Sequence, residues 1–236
     1  MPEPLSRFKT RNYILNSLPD EDYKRLHPYL ERCDLERSHS VYQPNRPIKY
    51  VYFPDGAMIS VVTNTSDGQS IEAGVIGWEG MAGVEVLLGV DATTNESMVQ
   101  IADGAFRIKT EEIRKEFAKG GVLNRLTLRY VHALMLQISQ TALCNRLHSL
   151  EQRLSRWLLM CRDRTETDEI RLTQEFLAIM LGVNRPSVTI AAATLQAAGY
   201  IEYSRGRITI LDGKKLEKFT CECYQAVKKI WPPAAK

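Results

Sequence analysis

Three side chains in the stretch Asn184-Arg185-Pro186-Ser187-Val188-Thr189 have the types that read a DNA duplex. Arginine grips guanine with two hydrogen bonds, and short hydroxyl groups reach base edges, so Arg185, Ser187 and Thr189 could act together from one helix face in a major groove. Arg205 and Arg207 flank Gly206 a short way on, where a tight turn could set both cations against phosphates. Thr173 and Asn184 each stand where a helix opens. They belong to the same set as caps and as polar groups facing a nucleic acid. Catalytic patterns are missing: there is no glycine-rich phosphate loop, no HExxH, no nucleophile elbow and no carboxylate pair at catalytic spacing. Glu111-Glu112 reads as a helix start. The chain is expected not to be an enzyme.

The five cysteines, at 33, 144, 161, 221 and 223, are odd in number and scattered, which does not suggest a disulfide framework. A reducing compartment suits them better. Cys221-Glu222-Cys223 is a strained spacing for a disulfide and reads as inert surface or packing cysteines. His27, Cys33 and His39 match no metal-ligand spacing, and His132 and His148 are placed on helices in packing or surface roles. No metal ligand and no cofactor is expected.

The elements that must carry the duplex-reading residues are legible around them. Thr173 caps a helix from Gln174, Glu175 adds negative charge to its first turn, and Leu172 can pack back on Leu177. Gly182 ends that helix in the position where a left-handed residue is needed. Asn184 then caps a second helix, running to about 196, with Pro186 tolerated in its first turn. Two helices on so short a turn must cross steeply, as in a helix-turn-helix. Ala178 supplies the small residue where they touch, and Leu181, Val183, Val188 and Ala191 the apolar inner face. Tyr200-Ile201-Glu202-Tyr203 and Ile208-Thr209-Ile210 alternate around the Arg-Gly-Arg turn as a basic hairpin, or wing. The competing reading is a helical hairpin that packs at a subunit interface.

Upstream, Leu15, Leu18, Pro19 and then Tyr23, Leu26, Tyr29, Leu30 suggest two small helices around a turn. Short strands are expected at Ile48–Phe53, Met58–Thr63, Gln69–Val75 and Ser97–Ile101, separated by Pro54-Asp55-Gly56, Ser66-Asp67-Gly68 and Asp103-Gly104. Gly77 to Gly83 reads as a tight loop, in which Trp78 either lines a pocket or packs. From Val122 to about Asn145 a long helix places Leu128, Val131, Met135, Ile138 and Ala142 on one seam. Leu123, Leu126, Tyr130 and Leu134 make a second apolar face. One face can pack on the strands while the other meets a second copy; the alternative is a helix buried within one subunit. A further helix runs from His148 to Arg162, followed by a charged surface loop from Asp163 to Glu169.

Composition frames this. The chain has 236 residues, 44% apolar and 25% charged, enough for an ordinary packed core. Its net charge of +3 divides unevenly: 15 Lys/Arg stand against 10 Asp/Glu from residue 146 onward, and 16 against 18 before it. The basic excess lies where the duplex-reading residues are. No apolar run is long enough to span a bilayer and the first ten residues hold no secretory signal, so a cytoplasmic protein without membrane partners is expected.

In these motifs the chain resembles the Crp/Fnr superfamily of transcription regulators, most closely over Leu172–Leu211 and less so over the long helix and the strands. The resemblance implies an α+β fold. Residues 1–120 would form an antiparallel, jelly-roll-like sensor β-roll of the cyclic-nucleotide-binding type, 121–146 a dimerisation helix, and 147–236 a winged helix-turn-helix. It also implies a homodimer through the helix 122–145, a near-palindromic double-stranded DNA operator, and RNA polymerase as a further partner. Arg185 matches the arginine that opens the family's recognition helix. Pro186 and Ile190 stand where Glu and Arg are frequent, so the usual operator is not expected.

Family members that bind cyclic AMP hold its phosphate with a Gly-Glu turn and an Arg-Ser or Arg-Thr pair. The corresponding effector-pocket residues here are Gly83, Val84, Glu96 and Ser97, preceded by Asn95. Losing the arginine costs about 1.5–3 kcal/mol before carboxylate repulsion is counted, so tight cyclic AMP binding is not expected. Oxygen-sensing relatives use several N-terminal cysteines for an iron–sulfur cluster; only Cys33 precedes residue 140. Haem-binding relatives need a His or Cys in the roll, and none falls between Val41 and Ala105. A ligand-responsive module acting through protein contacts is the alternative function.

Overall fold

The computed structural model describes residues 7–230. They gather into two compact units: residues 7–61 with Val75–Leu134, and Val62–Gly74 with residues 135–230.

The first unit opens with α1 (Tyr13–Asn16), capped by Asn12, and α2 (Asp20–Leu26), whose first turn holds Asp20, Glu21 and Asp22 where the helix dipole favours them. Seven strands follow along the chain: β1 (Glu31–Leu35), β2 (Ser40–Tyr42), β3 (Tyr50–Pro54), β4 (Met58–Asn64), β5 (Ser70–Ile76), β6 (Glu96–Ile101) and β7 (Asp103–Lys109), with the hairpin residues Val62–Gly74 of β4 and β5 counted in the second unit. They make two sheets, ordered β1-β7-β3 and β2-β6-β4-β5; β1 and β3 run antiparallel to β7, and β2 to β6. Phe53 sits opposite Phe106 and Val51 opposite Ile108, all four buried. The four expected strands are present within two residues at each end. β1, β2 and β7 join them without an expected counterpart.

The loop between β5 and the short 3-10 turn Val84–Leu88 packs against α4 (Gly121–Leu147), which follows α3 (Thr110–Ala118). A Cβ on Gly80 would fall 1.9 Å from Cε2 of Tyr130, so only glycine lets this loop approach the helix. Trp78 is buried there and serves packing.

The second unit holds α5 (Leu150–Thr165), β8 (Glu169–Arg171), α6 (Gln174–Leu181), α7 (Arg185–Ala197), β9 (Ile201–Ser204), β10 (Arg207–Ile210), α8 (Gly213–Phe219) and α9 (Cys223–Lys228). Ser149 and Gln152 close a reciprocal capping box at the start of α5. The expected loop from Asp163 to Glu169 is shorter than its charge suggested. α5 runs on to Thr165, because Arg164 is buried and donates to the Met160 carbonyl at 3.0 Å rather than facing water. Glu169 already belongs to β8, the outer strand of a three-stranded sheet ordered β8-β10-β9. Among the described residues, no single helix is long and apolar enough to cross a membrane.

Candidate nucleic-acid interface

Thr173 Oγ1 accepts from the Phe176 amide at 3.2 Å and so caps α6. Leu172 and Leu177 are both buried on either side of that cap. Gly182 ends α6 at φ +61°, and a Cβ there would lie 2.6 Å from Ile71 of the β4–β5 hairpin. Conformation and contact both demand glycine. The chain then reverses through 100° into α7. This is the steep crossing that a helix-turn-helix requires.

α7 is divided lengthwise. Val188, Ala191, Ala192 and Leu195 are buried, which fixes the helix against the body of its unit. Arg185, Thr189 and Ile190 point away and are exposed, Ile190 at 66%. Ser187 is half-buried. Asn184 Oδ1 accepts from both the Ser187 amide, at 2.9 Å, and the Ser187 hydroxyl, at 2.8 Å. Thr189 Oγ1 donates to the Arg185 carbonyl at 3.1 Å. Both hydroxyls therefore spend their proton locally and present lone pairs outward, as acceptors for base amino groups. Arg185 leans on Glu175, 3.4 Å away, with both side chains largely in solvent.

The wing is a two-residue hairpin. Ser204 pairs with Arg207, and the central Arg205 and Gly206 have φ +50° and +76°. Two successive positive φ values match the strand twist, and glycine holds the second without strain. Arg205 is an exposed non-glycine residue at positive φ, and Arg207 is exposed with Glu169 3.6 Å away.

All seven residues expected at the duplex thus lie on one helix-turn-helix and its wing. Thr173 and Asn184 act first as caps. Ile190 enters the sequence reading only as a departure from the family pattern; its exposure on the outer face leaves there an apolar side chain of the kind that can touch a thymine methyl group. Its spacing, one residue past Thr189 and opposite Val188, is the available signal.

In the first unit, Gly83 has φ +91°, Val84 opens the 3-10 turn, Ser97 is buried and Glu96 is half-buried. None of them lines the cavity of about 270 Å³ bounded by Tyr42, Arg46, Lys49, Tyr50 and Tyr52. A Cβ on Gly83 would meet the Tyr42 hydroxyl at 2.6 Å, so a tyrosine occupies the space beside that glycine.

Residues 152–219 match the family model of the Crp-like helix-turn-helix domain. No curated protein aligns significantly with the sequence. Solved structures do. FixK2 from Bradyrhizobium japonicum superposes with a TM-score of 0.69 at 14% identity, covering 81% of this chain and 98% of its own. The c-di-GMP-responsive global regulator CLP of Xanthomonas campestris gives 0.68 at 14%, covering 82% and 100%. A CRP-family transcriptional regulator from Thermus thermophilus gives 0.66 at 19%, covering 79% and 95%. The fold is that of the Crp/Fnr regulators, and residues 152–219 are a Crp-like helix-turn-helix domain.

Proposed function

We propose that the chain is a homodimeric, sequence-specific DNA-binding transcription regulator. One observation carries this reading: α7 buries an apolar face and turns Arg185, Thr189 and Ile190 outward, beside a wing that ends in two exposed arginines. The helix can enter a major groove while Arg205 and Arg207 hold phosphates. α4 supports the dimer. Leu128, Met135 and Ile138 of its seam are exposed, whereas Leu123, Tyr130 and Leu134 of the other face are buried. RNA polymerase is proposed as the protein partner on the resemblance alone, and the domain limits 1–120, 121–146 and 147–236 are kept as proposals.

Selection of bound sites from a random duplex pool tests this. The expected product is a near-palindrome with half-sites about one helical turn apart. Binding should fall steeply with salt as counterions leave the phosphates. Salt-insensitive binding with no enriched sequence would favour the protein-contact module instead. Asn95 or Glu96 stands where the resemblance puts the phosphate-binding arginine, so calorimetry with cyclic AMP should show no micromolar association.

A further inference from the structure

Four side chains that no motif linked come together in the second unit. Cys144 and His148 lie one turn apart at the end of α4, and Cys221 and Cys223 flank the start of α9. One ligand atom from each falls within 4.8 Å of every other. Cys144 Sγ is 3.6 Å from Cys221 Sγ, and Cys223 Sγ is 3.4 Å from His148 Nδ1. All three thiols are free and buried.

Zinc binds thiolate at about 2.3 Å and imidazole at about 2.0 Å, so the edges of its tetrahedron are about 3.5–3.7 Å long. The Cys144–Cys221 and Cys223–His148 separations already have about that length. One tetrahedral ion takes two thiolates at this separation, and three cysteines with one histidine are a ligand set of closed zinc sites. We infer that Cys144, His148, Cys221 and Cys223 form a Cys3His site for a single tetrahedral zinc ion.

The surroundings fit a ligand set of this kind. His148 faces the thiols through Nδ1 and has Glu222 Oε2 3.4 Å from its Nε2, the carboxylate–histidine relation that fixes the tautomer of a zinc ligand. Gln140 Nε2 donates to Cys223 Sγ at 3.0 Å, a hydrogen bond that stabilises a thiolate. Three thiolates, a neutral imidazole and Zn²⁺ carry one negative charge. Arg156 is 6% exposed, and its hydrogen bonds go to Thr141 Oγ1, so its positive charge is not spent on a carboxylate. Zinc binding would release the thiol protons to solvent.

The test uses the full chain, reduced and stripped with a chelator, then titrated with Co²⁺ and afterwards Zn²⁺. One Co²⁺ per chain is expected, with the visible absorption of tetrahedral thiolate cobalt and its loss on adding Zn²⁺. The double variant Cys221→Ser/Cys223→Ser should bind none. Glu222 is exposed, so Glu222→Gln leaves the fold intact and should weaken the metal about 10–100-fold. That variant decides the matter if the double variant does not fold. Absence of the tetrahedral spectrum, iron–sulfur absorption in the isolated protein, a Cys144–Cys221 disulfide under reducing conditions, or unchanged affinity in Glu222→Gln would each overturn the assignment.

Discussion

Arg185 faces a choice between Glu175 and a base. The pair with Glu175 is exposed and 3.4 Å long, a contact worth about 0.2–1 kcal/mol. A bidentate grip on guanine is worth about 1–3 kcal/mol of discrimination. In the proposed complex the duplex would win, and Glu175 would act as a light brake on the free protein. Arg185→Ala should therefore cost about 1–3 kcal/mol on the selected site and relax one base position. Glu175→Gln should tighten binding by up to about 1 kcal/mol, since it frees the guanidinium and removes a carboxylate near the phosphates. Anisotropy with the selected duplex and its single-base variants measures both. An equal loss on every variant would make Arg185 a phosphate contact and move base reading to Thr189 and Ile190. The residue types here were plain in the sequence; their commitments were not. That Ser187 gives its proton to Asn184 depends on cap geometry, which composition does not specify.

At the scale of elements, the helix-turn-helix was legible because local signals coincide there: a cap at Thr173, glycine at 182, a cap at Asn184 and proline in the first turn of α7. The strands divide by burial. β4 holds four apolar residues and is buried over its first five positions, so it could be read, whereas β1, Glu-Arg-Cys-Asp-Leu, is exposed along most of its length and has no apolar alternation. Its place comes from pairing with β7, a partner about seventy residues away. The cysteine cluster was hidden for the same reason: Cys144 and Cys221 stand 77 residues apart and meet only once α4 and α9 are docked. Two elements support sharp tests. Gly182→Ala puts a Cβ at positive φ and against Ile71, and should destabilise the second unit by more than the roughly 1 kcal/mol that an unstrained exchange spans, read as a lowered thermal midpoint. Arg205→Asn should do the reverse to the wing, because asparagine accepts φ near +50° more readily than arginine. Stability should hold or rise while affinity drops on every sequence and the salt slope falls by about one. A base-specific loss would place Arg205 in a groove rather than on the backbone.

For the whole molecule, the deciding surface is the exposed seam of α4. The helix has 27 residues and at about 1.5 Å per residue runs about 40 Å, long enough to carry a continuous two-helix contact. Met135 is 62% exposed, and Leu128, Ile138 and Leu147 join it in water in the single chain. In the proposed dimer a second copy would cover this stripe, and two-fold symmetry would then give the two α7 helices the pseudo-palindromic relation that successive major grooves impose. Met135→Glu with Ile138→Glu places like charges against their symmetry mates where apolar contact is needed, while leaving the buried face of α4 untouched. Sedimentation should shift from dimer to monomer. Affinity for the full site should collapse toward that of one half-site, because the second half no longer binds as part of the same molecule. Each folded variant chain should keep its circular dichroism spectrum. A variant that stays dimeric would move the subunit contact off this seam, and a monomeric parent chain that binds a single half-site with full affinity would remove the dimer from the mechanism altogether.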